Sequence, residues 1–229
     1  VNQILDLRKI DKGQMQMQMQ ETDMVYFVGD VLDLFRPQAN SKNIKLEFEH
    51  PDDKLPIWID RSHFDKVVMN LMSNAMKYTS KNGTVRVSLD NMPDLNCCQL
   101  RVFNTGDHIP EDAMRSIFER FHQVATSINQ SKVGTGIGLD LARSLVLLHH
   151  GSIEVENVEG GVVFTVTLPL GKEHLQEAEI AHFIEDNSDE TVEKETLEDV
   201  APVEETEEEV AELVKSSTTK RHTVIIVED

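Results

Sequence analysis

The 229-residue chain has only two cysteines, and they are neighbours, Cys97 and Cys98. Successive side chains of an extended backbone point to opposite faces, so an ordinary disulfide between them is geometrically disfavoured. A disulfide-stapled secreted scaffold is thereby excluded, and a reducing cytosol fits. No apolar run approaches the roughly 20 residues that cross a bilayer, and no signal peptide is visible. The chain therefore reads as soluble, with no direct membrane contact of its own. Basic residues are scarce: 22 Lys and Arg face 41 Asp and Glu, a formal net charge of −19. So negative a chain is a poor partner for nucleic acid.

The acidity is concentrated. Residues 171–220 hold 17 acidic and 4 basic side chains, net −13, including the run Glu204, Glu205, Glu207, Glu208 and Glu209. With few aromatics and little apolar content, this stretch reads as a flexible solvated linker. One good domain remains, over residues 14–170.

Within that domain, hydrophobic spacing sets out alternating helices and strands. Residues 1–13 look like the tail of an amphipathic helix carrying Ile4, Leu5, Leu7 and Ile10, stopped near Gly13. Met15, Met17 and Met19 alternate with glutamines, which predicts a strand whose methionine face is core. Asp23 caps a helix through Phe35, with Pro37 bending or breaking it before Ser41. Strands are expected at 44–49 and 56–59, then at 83–89 and 98–103. A short helix is expected over 110–119, a strongly apolar one over 135–150, and two strands at 153–158 and 162–168 joined through Gly160 and Gly161. The expected fold is an α/β two-layer sandwich, a mixed β-sheet with helices on one face.

Chemistry is concentrated in the helix that begins after Asp60. Phe64, Val67, Val68, Leu71, Met72, Ala75 and Met76 recur at helical spacing and define its buried face. The sequence NLMSNAMKYT (70–79) then sets Asn70 and Asn74 one turn apart, with Lys77 and Tyr78 a turn further on. Amide oxygens, an ammonium and a phenol in a row suit a hard cation and a phosphate.

Two glycine-bearing stretches come later in the chain. In VFNTGDHIP (102–110), Gly106 frees a turn after a strand, and the Asn104 side-chain oxygen can accept a hydrogen bond from an adenine amino group. In GTGIG (134–138), a glycine-rich helix start offers free backbone amides and a positive dipole end to phosphate oxygens. This stretch lacks the terminal lysine of a P-loop, and no Rossmann strand immediately precedes it, so both of those nucleotide folds are disfavoured.

The ordered set of asparagine helix, Asn104–Gly106 turn, FERF (118–121) and GTGIG resembles the catalytic, ATP-binding domain of sensor histidine kinases, of the Bergerat type shared with gyrase and heat-shock chaperone ATPases. The resemblance spans about residues 23–170. It makes residues 70–79 the N box, 104–106 the first glycine box, 118–121 the F box and 134–138 the second glycine box. It implies ATP and Mg²⁺ as ligands. Asn74 would supply an amide oxygen to the metal with Asn70 beside it, and Lys77 would hold a phosphate, these three forming the catalytic set. Tyr78, Asn104, Gly106 and Ile109 would surround the base. Gly134, Thr135, Gly136, Gly138 and Leu139 would line the phosphates, with Lys132 reaching them from a lid over residues 121–133. The histidines His122, His149 and His150 read as lid and helix-end residues. Two departures stand out: the family's usual first glycine box has aspartate where Asn104 stands and glycine where His108 stands, and the lid is less basic than in many relatives, with Gln123 where an arginine often follows the F box.

The flanks extend the resemblance. Residues 1–13 are similar to the end of the second dimerisation helix of a histidine kinase, and HTVIIVED (222–229) is similar to the first strand of a receiver domain. The phospho-accepting histidine belongs to a dimerisation helix outside this sequence, so autophosphorylation by this chain alone is not expected. The implied whole is a hybrid two-component sensor, of which this is the cytoplasmic portion of a membrane-anchored bacterial protein. Its partners would be ATP, histidine-bearing dimerisation helices and a receiver. A degenerate nucleotide-binding or docking scaffold without kinase activity is the alternative. A chaperone-like ATP hydrolase is disfavoured, because Asn70 stands where that class needs an acid.

Overall fold

The computed structural model describes residues 3–122 and 136–181. Helix α1 (Gln3–Asp11) leads into the strand β1 (Gln20–Asp23), helix α2 (Met24–Lys42), β2 (Lys45–Glu49), β3 (Pro56–Ile59) and helix α3 (Arg61–Tyr78). Then come β4 (Thr84–Met92), β5 (Cys97–Thr105), the single-turn helix α4 (Glu111–Met114), helix α5 (Gly138–Leu148), β6 (Ser152–Val158) and β7 (Gly161–Pro169). The main sheet has five strands in the order β2-β4-β5-β7-β6, with β2 and β4 parallel and the other pairs antiparallel. A second, two-stranded sheet pairs β1 with β3.

One face of the main sheet is apolar and covered. Val85, Val87 and Leu89 of β4, Leu100 and Val102 of β5, and Phe164, Val166 and Leu168 of β7 are buried with Val28, Val31 and Leu32 of α2, Phe64, Val67 and Leu71 of α3, and Leu141 and Leu145 of α5. The intervening residues Arg86 and Arg101 are exposed, the alternation of a sheet covered on one side. Helix α3 is the central one, packing against both α2 and α5 and over β5. It starts where expected: the Asp60 carboxylate accepts from the Ser62 and His63 amides.

Four expectations differ from the structure. Met15, Met17 and Met19 do turn inward alternately, but ladder pairing begins only at Gln20, with Met19 forming an isolated bridge to Ile180. The Gln18 amide donates to Asp60 Oδ2 instead of to a neighbouring strand. Pro37 does not end α2. Burial of Phe35 and Ala39 on either side of it outweighs the roughly 3 kcal/mol penalty of an interior proline, and Asn43 in the left-handed region closes the helix instead. The helix expected over 110–119 is α4 alone, followed by turns that bury Ile117 and Phe118. Helix α5 begins at Gly138, so Gly136 precedes the helix and lies in a turn.

Packing also continues past residue 170. The Ala181 amide donates to Met19 O, His150 Nε2 lies 3.0 Å from Glu179 Oε1, and the Lys172 ammonium stands 5.6 Å from the Trp58 ring centroid. The rest of the expected linker and the receiver-like strand at 221–229 lie outside the described residues. No helix among the described residues is long and apolar enough to cross a membrane.

Candidate nucleotide site

The asparagine row of α3 faces the start of α5. A Cβ added to Gly138 would lie 2.9 Å from Asn70 Oδ1, so a larger residue there would push the Asn70 carboxamide aside. Asn70 Oδ1 accepts from Gln3 Nε2 at 2.9 Å, while its Nδ2 is buried without a partner. One turn later Asn74 is half-buried, and beyond it the Lys77 ammonium lies 5.0 Å from the Tyr78 ring centroid. Among the described residues three buried side-chain polar atoms lack a partner, and two of them, Asn70 Nδ2 and Thr79 Oγ1, belong to residues 70–79. Orphaned polar atoms are costly in a packed interior, and their concentration here fits a polar ligand.

The end of β5 meets the end of α3. A Cβ on Gly106 would lie 3.1 Å from Tyr78 O, so the turn after β5 sits directly on the last turn of α3. Asn104 is 6% exposed, and its Nδ2 donates to Thr105 O at 3.3 Å. That contact turns the amide nitrogen to the chain and leaves Oδ1 as the acceptor. Ile109 is held at both backbone atoms by one side chain: its N–H donates to Asn157 Oδ1 at 2.9 Å and its carbonyl accepts from Asn157 Nδ2 at 2.8 Å. His108 is exposed, its Nε2 2.9 Å from Val158 O. The base-side candidates Tyr78, Asn104, Gly106 and Ile109 thus converge on one corner of the domain.

FERF grips the glycine turn. Phe118 is buried edge-on against Phe164, with ring centroids 6.3 Å apart. Phe121 adopts φ 59° and its N–H donates to Gly136 O at 3.0 Å, while Gly136 has φ 69°. A Cβ on Gly136 would fall 2.8 Å from Phe121 Cα, which makes glycine obligatory there. Leu139 follows, half-buried in the first turn of α5. Lys132, Gly134 and Thr135 lie outside the described residues.

The buried histidine His149 has a packing role. Its Nε2 accepts from the Asp60 N–H at 3.1 Å, so Nδ1 carries the hydrogen and donates to Leu145 O at 2.7 Å. Burial pushes its pKa below the ordinary value. The Asp60 carboxylate is driven up by burial, yet the hydrogen bonds from His63, the Gln18 amide and Ser62 outweigh that and hold it well below the usual range.

Sequence reasoning missed Gln3, Asp11, Arg120, Asp140 and Asn157. Arg120 donates through Nη1 and Nη2 to Asp11 and through Nε to Asp140. The hydrogen bond to Asp11 raises the pKa of Arg120 and lowers that of Asp11. Only the position of Arg120 inside FERF hinted at it, since its partners are 109 and 20 residues away.

Residues 59–172 match the family described as Histidine kinase-, DNA gyrase B-, and HSP90-like ATPase. The catalytic domain of histidine kinase ThkA, solved free of nucleotide, superposes with a TM-score of 0.61 at 31% identity, over 67% of this chain and 97% of that one. The chain belongs to this ATPase family. Its fold is that of the catalytic domain of histidine kinases. Curated relatives agree: histidine kinase P4 of Formosa agariphila is 31% identical over all of this chain, and hybrid signal transduction histidine kinase D of Dictyostelium discoideum is 32% identical over 74% of it. The chain spans 17% and 11% of the length of those two proteins.

Proposed function

We propose that this kinase domain binds Mg-ATP between α3 and α5 and presents its γ-phosphoryl group to a histidine on dimerisation helices outside this sequence, within a hybrid two-component sensor. The observation that carries the reading is the meeting of Asn70 with Gly138, where a buried amide nitrogen has no protein partner and the missing Gly138 side chain leaves room for the Asn70 carboxamide. Asn74 and Asn70 offer oxygens to the metal, a hard-cation donor set that leaves room for phosphate and water. Mg²⁺, when bound, neutralises charge on the β- and γ-phosphoryl oxygens. Lys77 at the end of α3 adds a positive charge to the phosphates, and the turn amides at Gly136 and Gly138 donate to them. Asn104 Oδ1 accepts from the adenine amino group.

The imidazole nitrogen of the incoming histidine forms a bond to the γ-phosphorus as the bond to the β–γ bridging oxygen breaks, and ADP leaves. The protein's contribution is positioning and charge stabilisation. The hybrid assignment is supported by the receiver-like HTVIIVED and by the likeness to hybrid kinase D. The whole sensor is proposed to be membrane-anchored, with this domain on the cytoplasmic side.

The test is to supply a histidine-bearing dimerisation segment in trans with radiolabelled ATP. An acid-labile, base-stable phosphoryl group on that segment, absent with Asn74→Ala, is expected. Nucleotide binding without any transfer would instead support the docking-scaffold reading.

A further inference from the structure

Arg120 has no part in the proposed nucleotide contacts, although its guanidinium is committed in every direction. Nη1 and Nη2 donate to Asp11 Oδ2 and Oδ1 at 2.7 and 2.6 Å, and Nε donates to Asp140 Oδ2 at 2.7 Å. Asp11 is the last residue of α1, and Asp140 lies in the first turn of α5. The Arg120, Asp11 and Asp140 side chains are 39%, 48% and 16% exposed. Isolated surface ion pairs contribute little, but a bidentate arginine–carboxylate pair inside a three-member network is the exception.

The backbone next to Arg120 gives the clamp a direction. Phe121 is in the left-handed region and bonded to Gly136 O, and Gly136 is itself left-handed and pressed against the Phe121 backbone. The hydrogen bond and the close backbone approach link the position of residue 120 to that of residue 136. Gly138 and Leu139 come directly after. Two other polar bridges tie α1 to the same machinery: Gln3 to Asn70, and Asp6 to Lys66 at 2.7 Å on α3. Buried Leu7 seats α1 between them.

We propose that Arg120 is a positioning residue through which the docking of α1 sets the geometry of the phosphate-binding turn at Gly136, so that the position of α1 is read out as nucleotide affinity. The proposal rests on the nucleotide site between α3 and α5. With α1 docked, Asp11 and Asp140 hold Arg120 from two helices and the turn is preorganised. With Asp11 removed, the cost of ordering residues 120, 121 and 136 falls on the binding step.

The experiment is titration of Mg-ADP into the whole chain, comparing wild type with Asp11→Ala, Arg120→Lys, the double variant and Asn74→Ala, each first shown to unfold cooperatively above the titration temperature. Asp11→Ala and Arg120→Lys are each expected to weaken Mg-ADP binding about three- to tenfold, the span of one or two lost hydrogen bonds. The double variant should bind no more weakly than Arg120→Lys alone, because both changes cut the same link. Reciprocity then requires saturating Mg-ADP to slow amide exchange in α1 of the wild type, and to do so less in Asp11→Ala. A purely structural clamp would lower the melting temperature and leave affinity and exchange unchanged, which would overturn the proposal. If the wild type binds, Asn74→Ala does not, and Asp11→Ala binds like wild type, only the role of Arg120 falls. If the wild type does not bind Mg-ADP, the nucleotide site itself falls and takes this proposal with it.

Discussion

Gln3 and Asn70, 67 residues apart, share a hydrogen bond of 2.9 Å that pins the first turn of α1 to the middle of α3. The donor is a side chain on the helix that precedes the ATPase fold, and the acceptor is the oxygen offered to the metal in the proposed site. Asn70 is held from that side alone, its amide nitrogen being buried and unpartnered. Gln3→Ala is therefore expected to lower stability by about 0.5–1.5 kcal/mol, the ordinary range for one lost hydrogen bond. Urea unfolding of the two proteins checks it.

Two glycine substitutions separate the site from the scaffold. At Gly138 a new methyl group meets Asn70 Oδ1 at 2.9 Å, the movable end of a side chain. Gly138→Ala should leave the melting temperature nearly unchanged and weaken Mg-nucleotide binding about tenfold, because the displaced carboxamide is part of the site. At Gly161 the methyl group would run into the backbone oxygen of Asn104, its neighbour across the β5–β7 ladder, and neither backbone can yield. Gly161→Ala should cost more than about 2 kcal/mol of stability. Thermal melts beside nucleotide titrations distinguish the two.

His149 makes stability depend on pH. Above about pH 7.5 neither folded nor unfolded chains protonate it, and it is silent. As pH falls through the unfolded value near 6.5, the unfolded chain takes up a proton that the buried ring resists, so stability falls, by at most about 1.4 kcal/mol per pH unit. His174, whose pKa is lowered by burial and by the neighbouring charge of His150, adds a slope of the same sign. Asp60, with its depressed pKa, loses its stabilising contribution only when pH falls below its ordinary value of 3.8, outside this window. Urea titrations from pH 8 to 5 should show declining stability, and His149→Phe should flatten part of that decline. The same variant should be less stable at pH 8, because the Asp60 N–H loses its acceptor.

Asn104 is predicted to carry base selectivity. Its amide nitrogen is turned to Thr105 O, which leaves the oxygen to accept from an amino group. Asn104→Ala should weaken Mg-ADP binding about tenfold and narrow the preference for Mg-ADP over Mg-GDP, read from competition titrations.

The parts of this molecule that are legible in the sequence are those written in local periodicity. Helix α3 announces itself by seven apolar residues at helical spacing and by Asp60 before them, and the structure buries all seven. Burial alternates along Met15, Met17 and Met19 as the pattern requires, but whether a strand forms depends on a pairing partner, and only Met19 reaches one. Pro37 misleads because its local penalty is set against the burial of Phe35 and Ala39, a tertiary term. In the candidate site, Asn70, Gly106 and Gly138 are legible because their residue types suit the chemistry. Gln3, Asp11 and Asn157 are not, since each acts through a partner 48 or more residues away and none is unusual in its own segment.

Whether a Mg-nucleotide site lies between α3 and α5 is decided by calorimetric titration of Mg-ATP and Mg-ADP into the chain, with Asn74→Ala alongside. Saturable one-to-one binding of both nucleotides by the wild type, lost when Asn74 is replaced, is expected. Absence of binding by the wild type, or equal binding by the two proteins, would contradict it.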